Sequence, residues 1–372
     1  MARNRRLFLS LGVIALIALA IAGIQRKVPS RVAPGPPIAT APGSAGAASR
    51  PALPDFTGGG TWFNSQPLHA ADLQGKVVIV DFWTYSCINC LRTLPYLQQW
   101  WAKYRDKGLV IVGVHSPEFD FEMDPGNVEK ALQKYGVTWP VVMDNDYAIW
   151  KAYANHYWPH KYIADASGLL RYDHIGEGGY AETEAQIREL LQSAGQPLDG
   201  VSAPNTGDED QGGALPITRE LYAGAAYQQG GYLGNKPSGT VGSLALFSDP
   251  RTYVEDEFYL IGTWEQGDES VRAAPQPGPA GATRVVLRFR AASVNAVLRS
   301  QSGAAANLRL RLDGKPVPAD WRGDDLDAGG QVKVGESRLY GLVKHSQIEE
   351  HVLELETDSP DLLVYSFTFS GN

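Results

Sequence analysis

The 372-residue chain holds two cysteines, Cys87 and Cys90, and both lie in the stretch VVIVDFWTYSCINCLRTLPYL at 77–97. Thiols at i and i+3 can supply half of a metal site, open and close a disulfide, or fill space as small apolar groups. A zinc site needs about four ligands, and there is no second cysteine pair. The seven histidines (His69, His115, His156, His160, His174, His345 and His351) give one close pair, His156 and His160. Pro159 stands between them and forbids a shared helical face, so no metal is expected.

The flanking pattern bears on the other two readings. KVVIVDFW (76–83) is a Val-rich apolar run, the pattern of a strand buried on both faces. CLRTLPYLQQWWAKYRDKG then places Leu91, Leu94, Leu97, Trp100 and Trp101 at helical spacing and stops at Gly108. The cysteines therefore sit at a strand-to-helix turn. Cys87 falls in the first turn, where unpaired N–H groups and the helix dipole stabilise a thiolate. Cys90, one turn on, is shielded beneath it and within reach to close a disulfide. Asp81 interrupts the apolar strand six positions before Cys87. A lone buried carboxyl keeps its proton more readily than one in water, which suits exchange of a proton with Cys90. Trp83, at the end of the same strand, is placed to wall a cleft beside the thiols.

Downstream, LVIVGVHS and WPVVMD read as strands, and NVEKALQKYG and YAIWKAYA as helices. KYIADASGLLRYDHIG reads as a hairpin turning at Ala166, Ser167 and Gly168, and ETEAQIRELLQSAG as a closing helix. The expected fold is α/β, a mixed sheet covered by helices on both faces.

VDFWTYSCINC resembles the active-site segment of thioredoxin-like proteins. The further segments GVHSPEFDFE, WPVVMDNDYAIWKAY, YWPHKYIADASG and HIGEGGY are similar to the TlpA-like domain of DipZ-type proteins, over about 53–195. The resemblance implies a thiol-disulfide oxidoreductase working outside the cytoplasm on protein disulfides, with the Cys87–Cys90 disulfide as its redox group and no other cofactor. It also implies a cis proline facing the cysteines, matched by Pro159, with Trp158 before it and His160 after it. Two positions depart from the pattern: Ile88-Asn89 replaces the Gly-Pro of thioredoxin, and Thr93 stands where many TlpA-like proteins have Glu. Asp81 is then the expected proton carrier, with Glu118, at the edge of the cleft, as the second candidate.

The N-terminus opens with Arg3, Arg5 and Arg6 and runs apolar from Leu7 to Ile24, about long enough to span a bilayer. We read 1–26 as an export signal or anchor. Retention is favoured over cleavage because Arg26 and Lys27 follow at once. Residues 27–52, rich in Pro, Ala and Gly, read as a tether. Arg26, Lys27 and Arg31 nearly balance the N-terminal arginines, so charge alone does not set the orientation; the resemblance implies soluble domains on the periplasmic, extracytoplasmic side of a cell membrane. A formal net charge of −8, with no basic run beyond the N-terminus, argues against a nucleic-acid partner.

Residues 196–214, Gly-, Pro- and acid-rich, read as a second linker before an all-β domain at 215–372. Runs such as RVVLRFRA, NAVLRS, LRLRLDG, SRLYGLV and EHVLELET suggest a β-sandwich. This tail resembles the carbohydrate-binding-like jelly roll of DipZ-type proteins, which implies a glycan ligand on Tyr259, Trp264, Trp321 or Tyr340. Asp324, Asp325 and Asp327 are a calcium alternative. DipZ-type proteins also carry a multi-span electron-transfer domain, so the resemblance implies a separate membrane partner of CcdA-like type. Two other functions compete. Thr84, three before Cys87, has peroxiredoxin spacing and suggests a thiol peroxidase, although Val80 replaces the required Pro. Alternatively, the chain is a glycan- or protein-binding module on a non-redox thioredoxin scaffold.

Overall fold

A computed structural model describes residues 51–203, 216–235, 242–275 and 283–371. The expected anchor (1–26), nearly all of the first linker (27–52) and 204–214 of the second lie outside the described residues. Among the described residues no helix is long and apolar enough to cross a membrane.

The first sheet has six strands: β1 (Trp62–Phe63), β2 (Val77–Trp83), β3 (Leu109–His115), β4 (Val141–Met143), β5 (His160–Ala164) and β6 (Leu170–Ile175), in the order β1-β4-β3-β2-β5-β6. β2 lies at its centre, parallel to β3 and antiparallel to β5, and every one of its residues is buried. Burial on both faces is why its sequence is a continuous apolar run rather than an alternating one.

Four helices cover the sheet: α1 (Ile88–Tyr104), α2 (Pro125–Lys134), α3 (Ala148–Ala152) and α4 (Tyr180–Ser193). α1 buries Cys90, Leu94, Leu97, Trp100 and Tyr104, one stripe at steps of three and four. It gives way to a 3-10 turn that closes at Gly108, whose φ of 94° suits a residue without a Cβ. The chain enters the domain by pairing with the β5–β6 turn: Ala52 bridges Leu169, and Leu53 N–H donates to Gly168 O at 2.8 Å.

The second part is all antiparallel: β7 (Leu221–Tyr222), β8 (Leu244–Phe247), β9 (Phe258–Gln266), β10 (Val271–Ala273), β11 (Thr283–Ser300), β12 (Ala306–Leu312), β13 (Gln331–Val334), β14 (Arg338–Thr357) and β15 (Leu362–Ser370). Hydrogen bonding connects all nine strands, with β11 meeting both β9 and β15 along one edge, so the expected all-β region is found. The sequence split RVVLRFRA from NAVLRS and SRLYGLV from EHVLELET; each pair is a single long strand, β11 and β14. β11 pairs with β9 over 284–287 and with β15 over 293–300, with bulges near Ala291/Ser293 and Val294/Asn295. A bulge bends a strand without ending it, which lets β11 serve two neighbours in turn.

The two parts share apolar packing. Val297, Leu339 and Tyr365 of the β region belong to the same buried cluster as Val77, Cys90, Leu97 and Trp100. Phe119 and Phe121, in the loop after β3, meet the Tyr365 ring at centroid distances of 5.2 and 4.8 Å. Leu198, read as linker, is buried in that cluster too. The described residues of the two parts fall in one compact unit.

Candidate active site

Cys87 caps α1. Its φ and ψ of −77° and 112° are extended, and its sulfur accepts the Cys90 N–H at 3.3 Å. The sulfur thus stands where a helix leaves donors unpaired. Cys87 is half-buried and Cys90 fully buried, and both are free thiols. Burial, the neighbouring Cys87 sulfur and the charge of Asp81 hold the Cys90 thiol well above its usual range. The accessible sulfur is therefore the one at the helix terminus, and its partner keeps its proton.

Asp81 is 1 % exposed, its Oδ1 has no hydrogen-bond partner, and burial pushes its carboxyl up to about 6. Directly opposite, across the β2–β5 ladder, stands Lys161, which is fully buried. Its charge opposes the desolvation of Asp81, and burial in turn lowers its own pKa. Lys161 was not singled out from sequence. The available signal was a cation inside the otherwise buried strand HKYIA; its meaning depends on a strand register that spacing alone does not give. We expect Lys161→Met to raise the Asp81 pKa further and to move the acid limb of the rate profile up by about one unit. A kcat/KM-against-pH series whose acid limb stays in place would rule out this pairing.

The Trp158–Pro159 peptide is cis, and the loop around it is tied into the site. Gly176 N–H donates to Pro159 O at 2.8 Å, Lys161 Nζ to Gly176 O at 3.2 Å, and Trp158 Nε1 to Ser116 O at 3.1 Å. Arg92 forks onto Glu177 at 2.7 and 2.8 Å and also holds Asn89 Oδ1 at 2.8 Å. A residue between the cysteines is thereby fastened to the loop beyond the proline. His160 faces away, bonded to Asn155 and Asp173.

Two expected cleft residues sit elsewhere. Trp83 is 1 % exposed and packs edge-on to His115, with Gly113 making room for its ring, so it belongs to the core and walls no open cleft. Glu118 Oε1 accepts the Tyr222 hydroxyl at 2.9 Å, a bond that ties the loop after β3 to β7. Glu220 is a second carboxyl bonded to the same phenol, and burial together with the two carboxyls holds Tyr222 far above an ordinary tyrosine. Glu122, unremarked in the sequence, is fully buried behind Cys87. It accepts Ser86 Oγ at 2.5 Å and the Glu118 and Phe119 amides at 2.5 and 2.9 Å, while burial raises its pKa. It fixes the turn that carries the nucleophile. Thr84, the residue with peroxidase spacing, bonds His115 Nε2 at 3.3 Å.

In the β region, Tyr259, Trp264 and Tyr340 are buried, and Trp321 lies flat on His345 at 4.3 Å. A ring enclosed in its own core has no face for a sugar, which removes Tyr259, Trp264 and Tyr340 from the expected platform and leaves the half-buried Trp321. Asp325 is engaged by Arg338 and Gly341 N, and Asp327 by the Gly329 and Gln331 amides. No group of three metal-ligating side chains comes together among the described residues.

Residues 50–173 match the AhpC/TSA family, and 218–370 match the family described as thioredoxin like C-terminal domain. Thiol-disulfide oxidoreductase YkuV of Bacillus subtilis is 30% identical over 142 residues, 38% of this chain and 95% of the relative. The chain belongs to the thioredoxin-like thiol-disulfide oxidoreductases. Protein DipZ of Mycobacterium tuberculosis is 35% identical to this oxidoreductase over 321 residues, 85% of the chain. The chain spans only 42% of the length of that relative and of its Mycobacterium bovis counterpart. A solution structure of a thioredoxin-like protein in the oxidized form aligns at 30% identity, covering 39% of this chain and 97% of its own, with a TM-score of 0.36.

Proposed function

We propose that the protein is a membrane-tethered, extracytoplasmic reductase of protein disulfides that cycles between a Cys87–Cys90 dithiol and disulfide. The observation that supports this most is the asymmetry of the two thiols: one half-buried sulfur at a helix N-terminus, and one buried, proton-holding sulfur a turn behind it. The Cys87 thiolate attacks a substrate disulfide, forming a mixed disulfide and releasing one substrate thiolate. Cys90 gives its proton to the Asp81 carboxylate and attacks the Cys87 sulfur, closing the Cys87–Cys90 disulfide and releasing the second substrate thiolate. Two electrons pass to the substrate. A dithiol donor restores the pair, and a CcdA-like membrane protein fits that part. The tether and the location rest on the apolar N-terminal run and the Pro-, Ala- and Gly-rich segment after it.

Cys90→Ser tests the sequence of steps. With the resolving sulfur removed, a disulfide substrate should stay attached to Cys87 and be seen as an adduct by intact-mass measurement without reductant. An adduct on Cys90 in the Cys87→Ser protein, with none on Cys87 in Cys90→Ser, would reverse the roles. The peroxidase alternative gains nothing from Thr84, whose hydroxyl faces His115.

A further inference from the structure

Residues 84–87 join β2 to α1 and carry the nucleophile. The Cys87 sulfur meets the Cys90 N–H while Cys87 keeps its extended backbone, and a hydrogen bond weakens steeply once its partners are misaligned. Ser86, the residue before it, is 1 % exposed, and its hydroxyl donates to Glu122 Oε1 at 2.5 Å. The other oxygen of that carboxyl takes the Glu118 and Phe119 amides. Burying a carboxyl costs free energy that an apolar side chain would not. What Glu122 adds is a tie between two segments of backbone, one of which carries the sulfur.

The other segment, residues 116–123, is held by the β region. Glu118 accepts from Tyr222 of β7 at 2.9 Å, and the Asp120 amide donates to Glu269 Oε2, in the turn between β9 and β10, at 2.8 Å. Phe119 and Phe121 meet the Tyr365 ring of β15. Phe121 is also edge-on to Tyr85 at 6.1 Å, so this loop reaches two consecutive residues of the nucleophile turn, Tyr85 and Ser86. Contacts from three places in the β region thus converge on one loop, and that loop is tied to the turn before Cys87.

We propose that Glu122 and Ser86 are positioning residues for sulfur exchange, and that the β region braces them through the loop 116–123. Contacts made in one part of the molecule then set the rate of a step carried out in the other. The inference rests on the thiol-disulfide reading above and adds the residues that aim its nucleophile. A carboxyl that served only to satisfy two amides would change melting, but not the reactivity of Cys87 in a folded chain.

The test uses the full chain with Cys90→Ser, in which Cys87 is the only thiol. Intact mass follows the second-order rate at which bis(2-hydroxyethyl) disulfide adds to it, at a temperature where circular dichroism shows every variant folded. Glu122→Ala should slow the addition about tenfold, and Ser86→Ala about threefold. Glu122→Gln should stay within about twofold of the parent, because its carbonyl still takes the amides while its NH2 donates to Ser86 Oγ, the same bond with its direction reversed. Tyr222→Phe, in the β region, should slow the addition about twofold. Combined with Ser86→Ala it should add less than it does alone, the mark of two changes in one line of contacts. These last two variants keep the test open if Glu122→Ala does not fold. Parent rates in Ser86→Ala, or a Tyr222→Phe effect that is absent or multiplies in full, would overturn the proposal while leaving the chemistry standing. So would a Glu122→Gln rate as low as that of Glu122→Ala, which would assign the effect to the charge of the carboxyl. No adduct on Cys87 in the parent chain would instead remove the thiol-disulfide reading, and this inference with it.

Discussion

Asp81→Asn should slow disulfide exchange on the order of a hundredfold at pH 7 and, at the same time, make the protein harder to unfold above that pH. The first effect follows from losing the carboxylate that accepts the Cys90 proton. The second follows from linkage. In the unfolded chain an aspartate titrates near 4, whereas burial holds this one at about 6 when folded. Between those values the folded protein binds more protons than the unfolded one. The Asp81 contribution is therefore fully present below about pH 4, is lost as pH rises to 6, and stays lost above. The two-unit difference corresponds to about 3 kcal/mol at pH 8, reduced because the variant leaves Lys161 without its counter-charge. Urea unfolding at pH 4 and pH 8 measures it. If wild type and variant lose stability in parallel between those values, Asp81 does not carry a raised pKa.

The second large effect concerns the fragment 51–203, which ends where the described thioredoxin-like part ends. Read from sequence, the thioredoxin-like domain at 53–195 is separated from the all-β domain by a linker at 196–214. The structure leads to a different expectation: the fragment should melt about 10 °C or more below the full chain. Removing the β region uncovers Phe119 and Phe121, now 1 % and 4 % exposed, at about 1.5–3 kcal/mol for each large side chain. Set against a total stability of about 5–15 kcal/mol, that is a substantial fraction. The loss of Tyr222 also removes its bond to Glu118, in the loop whose amides hold Glu122 beside Ser86. Calorimetry of the two chains decides, and coincident midpoints would show that the contacts between the parts carry no stability.

What could be read from the sequence was periodic or local. The buried run of β2, the stripe of α1 and the β5–β6 turn each follow from spacing within one element, and so does the position of Cys87 at a helix start. What could not be read depends on which residues meet across elements. Lys161 gains its meaning from lying opposite Asp81 in the ladder, and Glu122 from folding back on its own preceding amides. Trp83 looked like a cleft wall because a large aromatic beside a reactive turn is equally consistent with both places; Gly113, on the neighbouring strand against the edge of its ring, decides for the interior. The shared core was hidden by composition. A Gly-, Pro- and acid-rich stretch says that the chain between two regions packs poorly, but nothing about whether the regions it joins touch.

The place where the chain enters the folded unit has a consequence for geometry. Leu53 is pinned to the turn between β5 and β6, and the β2–β5 register sets Ala164 beside Val78 and His160 beside Phe82. The entry point therefore lies at the start of β2, and the reactive sulfur lies beyond its other end, about 20 Å away along seven residues of strand. The tether proposed above would hold the domain by the pole opposite its thiols. A polypeptide arriving from open solution would meet the sulfur first and the attachment last.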